Sequence, residues 1–149
     1  MQSGLKVIAP ASVSNLACGF DTLGVAIDIP SDEMIGKWVN TPGVHIIEIT
    51  GKKKDIPLAA DHNIAGITAT ALLKHLGEDG RGLELRIHKH IPGGSGLGSS
   101  ASSATAAAVL VNELLNRPFE KRDLIPFALD GEMVASGSRH GDNVVPAMI

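Results

Sequence analysis

A glycine cluster between a strand pattern and a helix pattern constrains this chain more than any other feature. Residues 82–91, GLELRIHKHI, alternate apolar and polar side chains, as a strand with one buried face does. Four glycines follow at positions 93, 94, 96 and 98. Residues 99–116 then carry apolar side chains at three- and four-residue spacing, which predicts a helix. The sequence therefore predicts the order strand, glycine-rich loop, helix.

This order is typical of an anion-binding site. Backbone N–H groups in the first turn of a helix point out of its N-terminus, where the helix dipole adds about half a positive charge. Glycines let successive N–H groups face one concavity. Serines at positions 99, 100, 102 and 103 add hydroxyl groups to the same segment. We therefore expect this loop to bind a phosphate group.

Other interpretations of the loop fit less well. A Walker loop, G-x-x-x-x-G-K-[ST], needs a lysine directly after its last glycine, and no glycine of this loop is followed by a lysine. The nucleophile elbow G-x-S-x-G fails because Leu97 stands where its last glycine belongs. The dinucleotide fingerprint fits loosely at Gly96, Gly98 and Ala101, but a further helix pattern follows instead of a second parallel strand. A tight turn whose small residues only permit close packing remains an alternative.

Composition narrows the range of partners. The 149 residues are 44% hydrophobic and 19% charged, as in ordinary globular domains, and the net charge is −3. The only lysine run is the short one at 52–54, so we expect no nucleic-acid partner. No apolar run approaches the length of a membrane span, so we expect no membrane partner. A single cysteine, Cys18, fits a reducing compartment, and we expect a cytoplasmic protein.

The remaining patterns predict strands early in the chain and helices late, which indicates an α+β fold. The predicted strands are one at 5–9 that stops at Pro10, one at 22–29, and a hairpin of 36–40 and 44–50 around the turn 41–43. The predicted helices are one over 63–77, with Asp61 as its N-cap, and a last one over 121–136.

Three stretches together resemble one enzyme family. Residues 92–102, PGGSGLGSSAS, resemble the P-x-x-x-G-L-G-S-S-A phosphate loop of the GHMP small-molecule kinases. Residues 9–27, APASVSNLACGFDTLGVAI, and 128–148, ALDGEMVASGSRHGDNVVPAM, are similar to two further motifs of the homoserine kinase branch of that family. The three stretches occur in the family's order and span the chain almost end to end.

The resemblance implies a fold and a domain division. The fold is that of the second domain of ribosomal protein S5, a mixed or antiparallel sheet with helices packed on one face. Residues 1–149 would form the N-terminal ATP-binding domain, and the second, C-terminal domain of the family would be absent from this chain.

The resemblance also implies an activity, the ATP-dependent phosphorylation of the side-chain hydroxyl of L-homoserine to O-phospho-L-homoserine in threonine biosynthesis. Because the second domain would be missing, we expect weak or no turnover by this chain alone. The implied partners are homoserine, ATP and Mg²⁺, and a homodimer is left open. A non-catalytic nucleotide- or phosphate-binding module is the alternative.

Site residues carry over from the matching positions. The resemblance places ATP against Asn63 and the loop Pro92, Gly93, Gly94, Ser95, Gly96, Leu97, Gly98, Ser99, Ser100, Ala101 and Ser102. It places Mg²⁺ at Ser100 and Glu132, and homoserine at Asn15, Asp21, His140, Asp142 and Asn143. Some relatives pair an aspartate base with a lysine in an opening P-G-K motif, but here the equivalent triplet is Pro-Ala-Ser at 10–12. Alignment of the reactants by Asn15 and Asn143 is therefore the expected catalytic contribution.

Overall fold

The computed structural model describes residues 4–19, 21–52, 55–137, 139 and 141–149. Four strands, β1 (Leu5–Ser14), β2 (Gly24–Val39), β3 (Gly43–Gly51) and β4 (Gly82–Lys89), form one sheet in the order β1-β2-β4-β3. The helices of the described part are α1 (Ile64–His75), α2 (Ser99–Leu114), α3 (Ile125–Ser136) and α4 (Gly141–Met148), with short 3-10 turns at Ala60–His62 and Lys121–Leu124.

Helices cover one face of this mixed sheet, and the other face is open. Leu83, Leu85 and Ile87 of β4 are buried under the helices, while the alternating Arg86 and His88 are exposed on the far side. The open face carries the ion pairs Lys6–Glu33, Lys37–Glu84 and Arg86–Glu48, at 2.9, 3.1 and 2.9 Å. The α+β fold with a mixed sheet, and the strand alternation in 82–89, are therefore confirmed.

The predicted end of the first strand at Pro10 is wrong. β1 runs through Pro10 to Ser14, because it is the edge strand of the sheet and a proline there need not donate to a neighbour. The pairing register with β2 jumps at this point, from Pro10 opposite Ser31 to Ala11 opposite Ile27. This bulge carries residues 28–30 out of the ladder, so β2 is one 16-residue strand rather than the two predicted pieces.

The predicted hairpin of 36–40 with 44–50 is also wrong. β4 lies between β2 and β3, pairing antiparallel with β2 and parallel with β3. The strand with the most continuous buried apolar set, β4, thus takes a central position covered by helices, as such strands prefer. This arrangement places the end of β4, and the glycine-rich loop after it, near the middle of the sheet.

The helices differ from prediction mainly at their ends. Asn63, not Asp61, caps α1: its Oδ1 accepts the backbone N–H groups of Ala65 and Gly66 at 2.9 and 3.4 Å. Asp61 instead lies in the preceding 3-10 turn, which the sequence did not indicate. The last predicted helix is divided into a 3-10 turn and α3, and α4 was not predicted. Within the described residues, no helix combines the length and apolar character needed to cross a membrane.

Helix α2 lies at the centre of the core. Its alanines at positions 101, 104, 106, 107 and 108 are all buried, and such small side chains allow a helix to approach a sheet closely. Close approach fixes the position of the helix N-terminus relative to the ends of β1 and β4. The sheet thereby determines where the glycine-rich loop points.

Candidate functional site

The glycine-rich loop, residues 92–98, joins the end of β4 to the start of α2. Gly94, Gly96 and Gly98 have φ values of 76°, 76° and 64°, in the left-handed region that favours glycine. Gly98 is the N-cap of α2 and has no side chain to occupy the helix end. The first turn begins with Ser99 and Ser100, which both line the hollow described below, and the helix dipole favours an anionic ligand at this end.

Strand β1 holds the loop in place through Ser12. The backbone N–H of Ser12 donates to the Leu97 carbonyl at 3.1 Å. A Cβ atom at Gly98 would lie 2.2 Å from Ser12 Oγ and 3.1 Å from Asn143 Oδ1. Only glycine therefore fits at position 98, because the loop packs directly on the buried Ser12 side chain.

Asn143 of α4 lies on the same part of β1. Its Oδ1 accepts a hydrogen bond from Ser12 Oγ, and its Nδ2 donates to Ser14 Oγ, both at 2.9 Å. The helix reaches this position because Gly24 of β2 leaves room for the Asp142 carbonyl, which would lie 1.6 Å from a Cβ there. The Asn143 amide is thus held between β1 and the glycine-rich loop.

These groups surround a hollow of about 470 Å³, here called the loop hollow. It brings together most of the predicted phosphate loop with Asn15, Ser100 and Asn143. Asn15 has a φ of 58°, and its Oδ1 accepts the backbone N–H of Asp21 at 2.9 Å. The lining residues are Ser14, Asn15, Pro92, Gly94, Ser95, Gly96, Leu97, Gly98, Ser99, Ser100 and Asn143.

Two further predicted substrate residues lie in a neighbouring hollow. Asp21 and Asp142 line a space of about 420 Å³ together with Gly24 and Pro146. Asp21 is exposed, whereas Asp142 is 8% exposed. The bond from the Asp21 N–H to Asn15 connects this hollow to the loop hollow. The predicted His140 lies outside the described residues.

Ser100 and Glu132 form the candidate metal-binding pair. Ser100 Oγ donates to Glu132 Oε2 at 3.1 Å, and Glu132 is 9% exposed. One carboxylate and one hydroxyl beside a phosphate-binding loop suit Mg²⁺, which keeps several waters and takes further ligands from phosphate oxygens. The described residues contain no group of three or more His, Cys, Asp or Glu able to hold a metal by themselves. The donor set therefore fits a magnesium ion that arrives with a phosphorylated ligand.

A second hollow, of about 160 Å³, adjoins the first and shares Ser99 and Ser100 with it. We call it the apolar hollow, because Ile56, Pro57, Ile64, Ile67, Ile87 and Val134 form much of its wall. Asn63 also lines it, but its side chain is engaged in capping α1 and donates to the Pro57 carbonyl at 2.7 Å. A space of this kind beside a phosphate loop suits the flat ring of a nucleoside.

Three of the predicted loop residues do not line either hollow. Gly93 is exposed, and Ala101 and Ser102 are fully buried. The Ser102 hydroxyl donates to the Ala9 carbonyl at 3.1 Å, so this side chain faces the sheet. Ala101 and Ser102 therefore contribute to the packing of α2 beneath the loop.

Two features of the site have no counterpart among the residues expected from the sequence: the contact of Ser12 with the loop, and the buried pair Asp32 and Lys89. The Lys89 ammonium donates to the Asp32 carboxylate, and their side chains are 1% and 2% exposed. One signal was available: Lys89 falls on the buried side of the alternation through Leu85 and Ile87. A lysine in that position needs a partner, and the pattern alone does not name it.

Comparison with known proteins defines the class. The family model of the GHMP kinases N terminal domain matches residues 63–149, and the chain belongs to this family. The resemblance seen in the three sequence motifs is thus confirmed. Mevalonate kinase from Methanococcus jannaschii shares the fold, with a TM-score of 0.78 at 16% identity.

Within that class, the chain is most usefully compared with homoserine kinases. The homoserine kinase of Xylella fastidiosa (strain M12) is 43% identical over 144 residues, which cover 97% of this chain and 44% of that protein. The homoserine kinase of Chlorobium phaeovibrioides is 44% identical, with 97% and 48% covered. The crystal structure of homoserine kinase from Cytophaga hutchinsonii matches with a TM-score of 0.94 at 44% identity, over 99% of this chain and 47% of that one. The chain spans about half the length of the curated relatives it matches.

Proposed function

We propose that this chain is the ATP-binding part of a homoserine kinase, with residues 1–149 forming its N-terminal domain. The observation that carries the proposal is the joined pair of hollows around Ser99 and Ser100. The apolar hollow takes the nucleoside, and the loop hollow takes the triphosphate. The identity to homoserine kinases along 97% of the chain supports L-homoserine as the acceptor. A cytoplasmic location follows from this assignment.

In the proposed reaction the homoserine side-chain oxygen forms a bond to the γ-phosphorus as the bond from that phosphorus to the β,γ-bridging oxygen of ATP breaks. The products are O-phospho-L-homoserine and ADP, and the hydroxyl proton is released to solvent. Phosphoryl transfer passes through a loose transition state, so placement of the reactants and neutralisation of charge matter more than a strong base. Bound Mg²⁺ would neutralise phosphate charge.

The chain's own residues supply the placement. The loop N–H groups at the α2 N-terminus hold the phosphates, and Ser100 with Glu132 would hold Mg²⁺. Asn143, fixed by Ser12 and Ser14, and Asn15 line the same hollow and orient the acceptor hydroxyl. Asp21, exposed in the neighbouring hollow, meets the substrate ammonium.

A non-catalytic nucleotide-binding module is the second candidate. It is favoured by one observation, that the two hollows meeting at Ser99 and Ser100 would hold a nucleotide whether or not an acceptor binds beside it. Calorimetry with MgATP, followed by homoserine, separates the two candidates. Coupling between the two ligands supports the kinase site, whereas ATP binding that homoserine leaves unchanged supports the module.

Substitution of Glu132 tests the metal site. We expect Glu132→Gln to weaken Mg²⁺-dependent ATP binding by about tenfold or more, since a ligand to the ion loses its charge. Asp130→Asn is the matched control, because Asp130 lies on the same helix, is half-exposed, and pairs with Arg139 at 2.6 Å. Equal effects of the two variants would contradict the assignment of Glu132.

Substitution of Asn143 tests the catalytic assignment. In a protein that turns over, measured by coupled ADP release, we expect Asn143→Ala to lower kcat by about 10²-fold, as loss of a transition-state contact does. A kcat within about threefold of the parent would contradict the catalytic role assigned to Asn143.

A further inference from the structure

We propose that Asp32 and Lys89 are positioning residues for the glycine-rich loop: their ion pair ties the chain entering the loop to the first turn of α2. The proposal rests on the proposed function, in which this loop binds a triphosphate. Neither residue belongs to the three motifs that identify the family.

Asp32 holds the start of the loop. The ladder between β2 and β4 ends with Glu33 opposite His88, one residue before Asp32 and Lys89 would pair. Beyond that point the Asp32 carboxylate, instead of a strand carbonyl, serves as the hydrogen-bond acceptor. Its Oδ1 accepts the backbone N–H groups of His90 and Ile91 at 2.8 and 2.9 Å. Two N–H groups that would otherwise lack a ladder partner are thereby satisfied, and the direction of the chain into the loop is set.

Lys89 holds the end of the loop. Its ammonium donates to the Ser99 carbonyl and to Ser103 Oγ, both at 2.8 Å, in the first turns of α2. Ser99 Oγ in turn donates to the Ile91 carbonyl at 3.2 Å. The two ends of the seven-residue loop are therefore connected through one buried cluster, with the ion pair between Asp32 and Lys89 at its centre.

Stability alone is a weak reason for such a pair. Removing two charges from water is costly, and replacing a buried ion pair by apolar side chains of similar size is often neutral or stabilising. This pair, at 1% and 2% exposure, instead has a geometric consequence for the loop. With both ends held, the left-handed glycines between them are ordered before a ligand arrives, so less conformational entropy is lost on binding.

The two partners differ in their access to ligand. Lys89 lines the apolar hollow, whereas Asp32 is not among the described residues that line either hollow. A change at Asp32 therefore reaches a bound nucleotide only indirectly, through Lys89 and through the loop that the pair holds. Asp32→Asn is the informative variant, because the amide oxygen can still accept an N–H while the charge opposite Lys89 is lost.

The experiment compares the affinities of this chain for MgATP and for adenosine, both measured by calorimetry below the unfolding temperature. Adenosine, which has no phosphate, reports on the apolar hollow, and the ratio of the two affinities reports on the loop. We expect Asp32→Asn to lower this ratio at least tenfold. Glu33→Gln is the matched control: it is the next residue of β2, faces the open side of the sheet, and should change the ratio less than twofold.

Amide hydrogen exchange in residues 90–103 gives a second readout that needs no ligand. We expect Asp32→Asn to accelerate exchange there about tenfold, with no change for Glu33→Gln. If the parent binds no ATP, the proposed function fails, and the exchange result still decides the role of the pair. A folded Asp32→Asn variant with parental exchange, or with a parental ratio of affinities, overturns the proposal.

Ser103→Ala covers the case in which Asp32→Asn does not fold. It removes one acceptor of the Lys89 ammonium and leaves the ion pair intact. We expect changes of about threefold in the same directions. Parental exchange and a parental affinity ratio in Ser103→Ala would then overturn the proposal.

Discussion

Gly98→Ala tests whether the glycine-rich loop depends on direct contact with β1. The new Cβ would lie 2.2 Å from Ser12 Oγ and 3.1 Å from Asn143 Oδ1, at a φ of 64°. Gly96→Ala is the control, because Gly96 has a φ of 76° and, apart from its chain neighbours, no described residue has an atom within 4 Å of its Cβ position. Both variants suffer the backbone strain, and only the first suffers the clash.

The magnitudes separate the two variants. An L-residue in the left-handed region costs about 1–2 kcal/mol, offset by about 0.4–1 kcal/mol from the less flexible unfolded chain. Gly96→Ala should therefore lose between about 0 and about 1.6 kcal/mol of unfolding free energy. Gly98→Ala should lose about 1–3 kcal/mol more, the usual cost of overpacking a filled site.

Urea unfolding of both variants without ligand gives the difference directly, provided that their m-values agree. A second measurement, the ATP affinity of each folded variant, reports whether the displaced Ser12 also disturbs the loop. If the unfolding free energies of Gly98→Ala and Gly96→Ala agree within about 0.5 kcal/mol, the described packing of the loop on β1 is refuted.

Two further predictions concern α4 and the open sheet face. Gly24→Ala should lose about 3 kcal/mol or more of unfolding free energy, since its Cβ would meet the Asp142 backbone oxygen at 1.6 Å. Gly80→Ala should be near-neutral in the same urea titration, because in the described part of the chain only its sequence neighbours come within 4 Å of the Cβ position. A hydrogen bond from Lys6 is the main cause that lowers the pKa of Glu33. We therefore expect Lys6→Met to raise this pKa, as measured by NMR titration. An unchanged pKa would contradict the described pair. Because the folded pKa is lowered, the pair stabilises the protein above the unfolded pKa of Glu33 and ceases to do so as the pH falls through the folded value.

Local periodicity predicted the elements that carry the loop. The alternation in 82–89 and the spacing of alanines in 99–114 depend on neighbours a few residues away, and β4 and α2 follow them closely. The pairing of strands could not be predicted in the same way. The position of β4 between β2 and β3 depends on which strand would lose the most free energy if its apolar side chains were exposed to water. That comparison involves every strand of the sheet.

The same contrast between local and long-range information applies to the candidate site. Glycines and serines of the loop are contiguous in sequence, so a phosphate site could be inferred from them. The contacts that hold the loop are distant: Ser12 and Asn143 are 131 residues apart, and Asp32 and Lys89 are 57 apart. Asp32 also falls near Pro30, where the sequence suggested a break between strands rather than the interior of β2.

A crystal structure of the chain with Mg²⁺ and a non-hydrolysable ATP analogue tests most directly whether the glycine-rich loop holds the triphosphate of ATP. We predict the β- and γ-phosphates within hydrogen-bonding distance of backbone N–H groups in residues 94–100, with the metal ion between them and the side chains of Ser100 and Glu132. Phosphates bound elsewhere, with the loop hollow empty, would contradict the account.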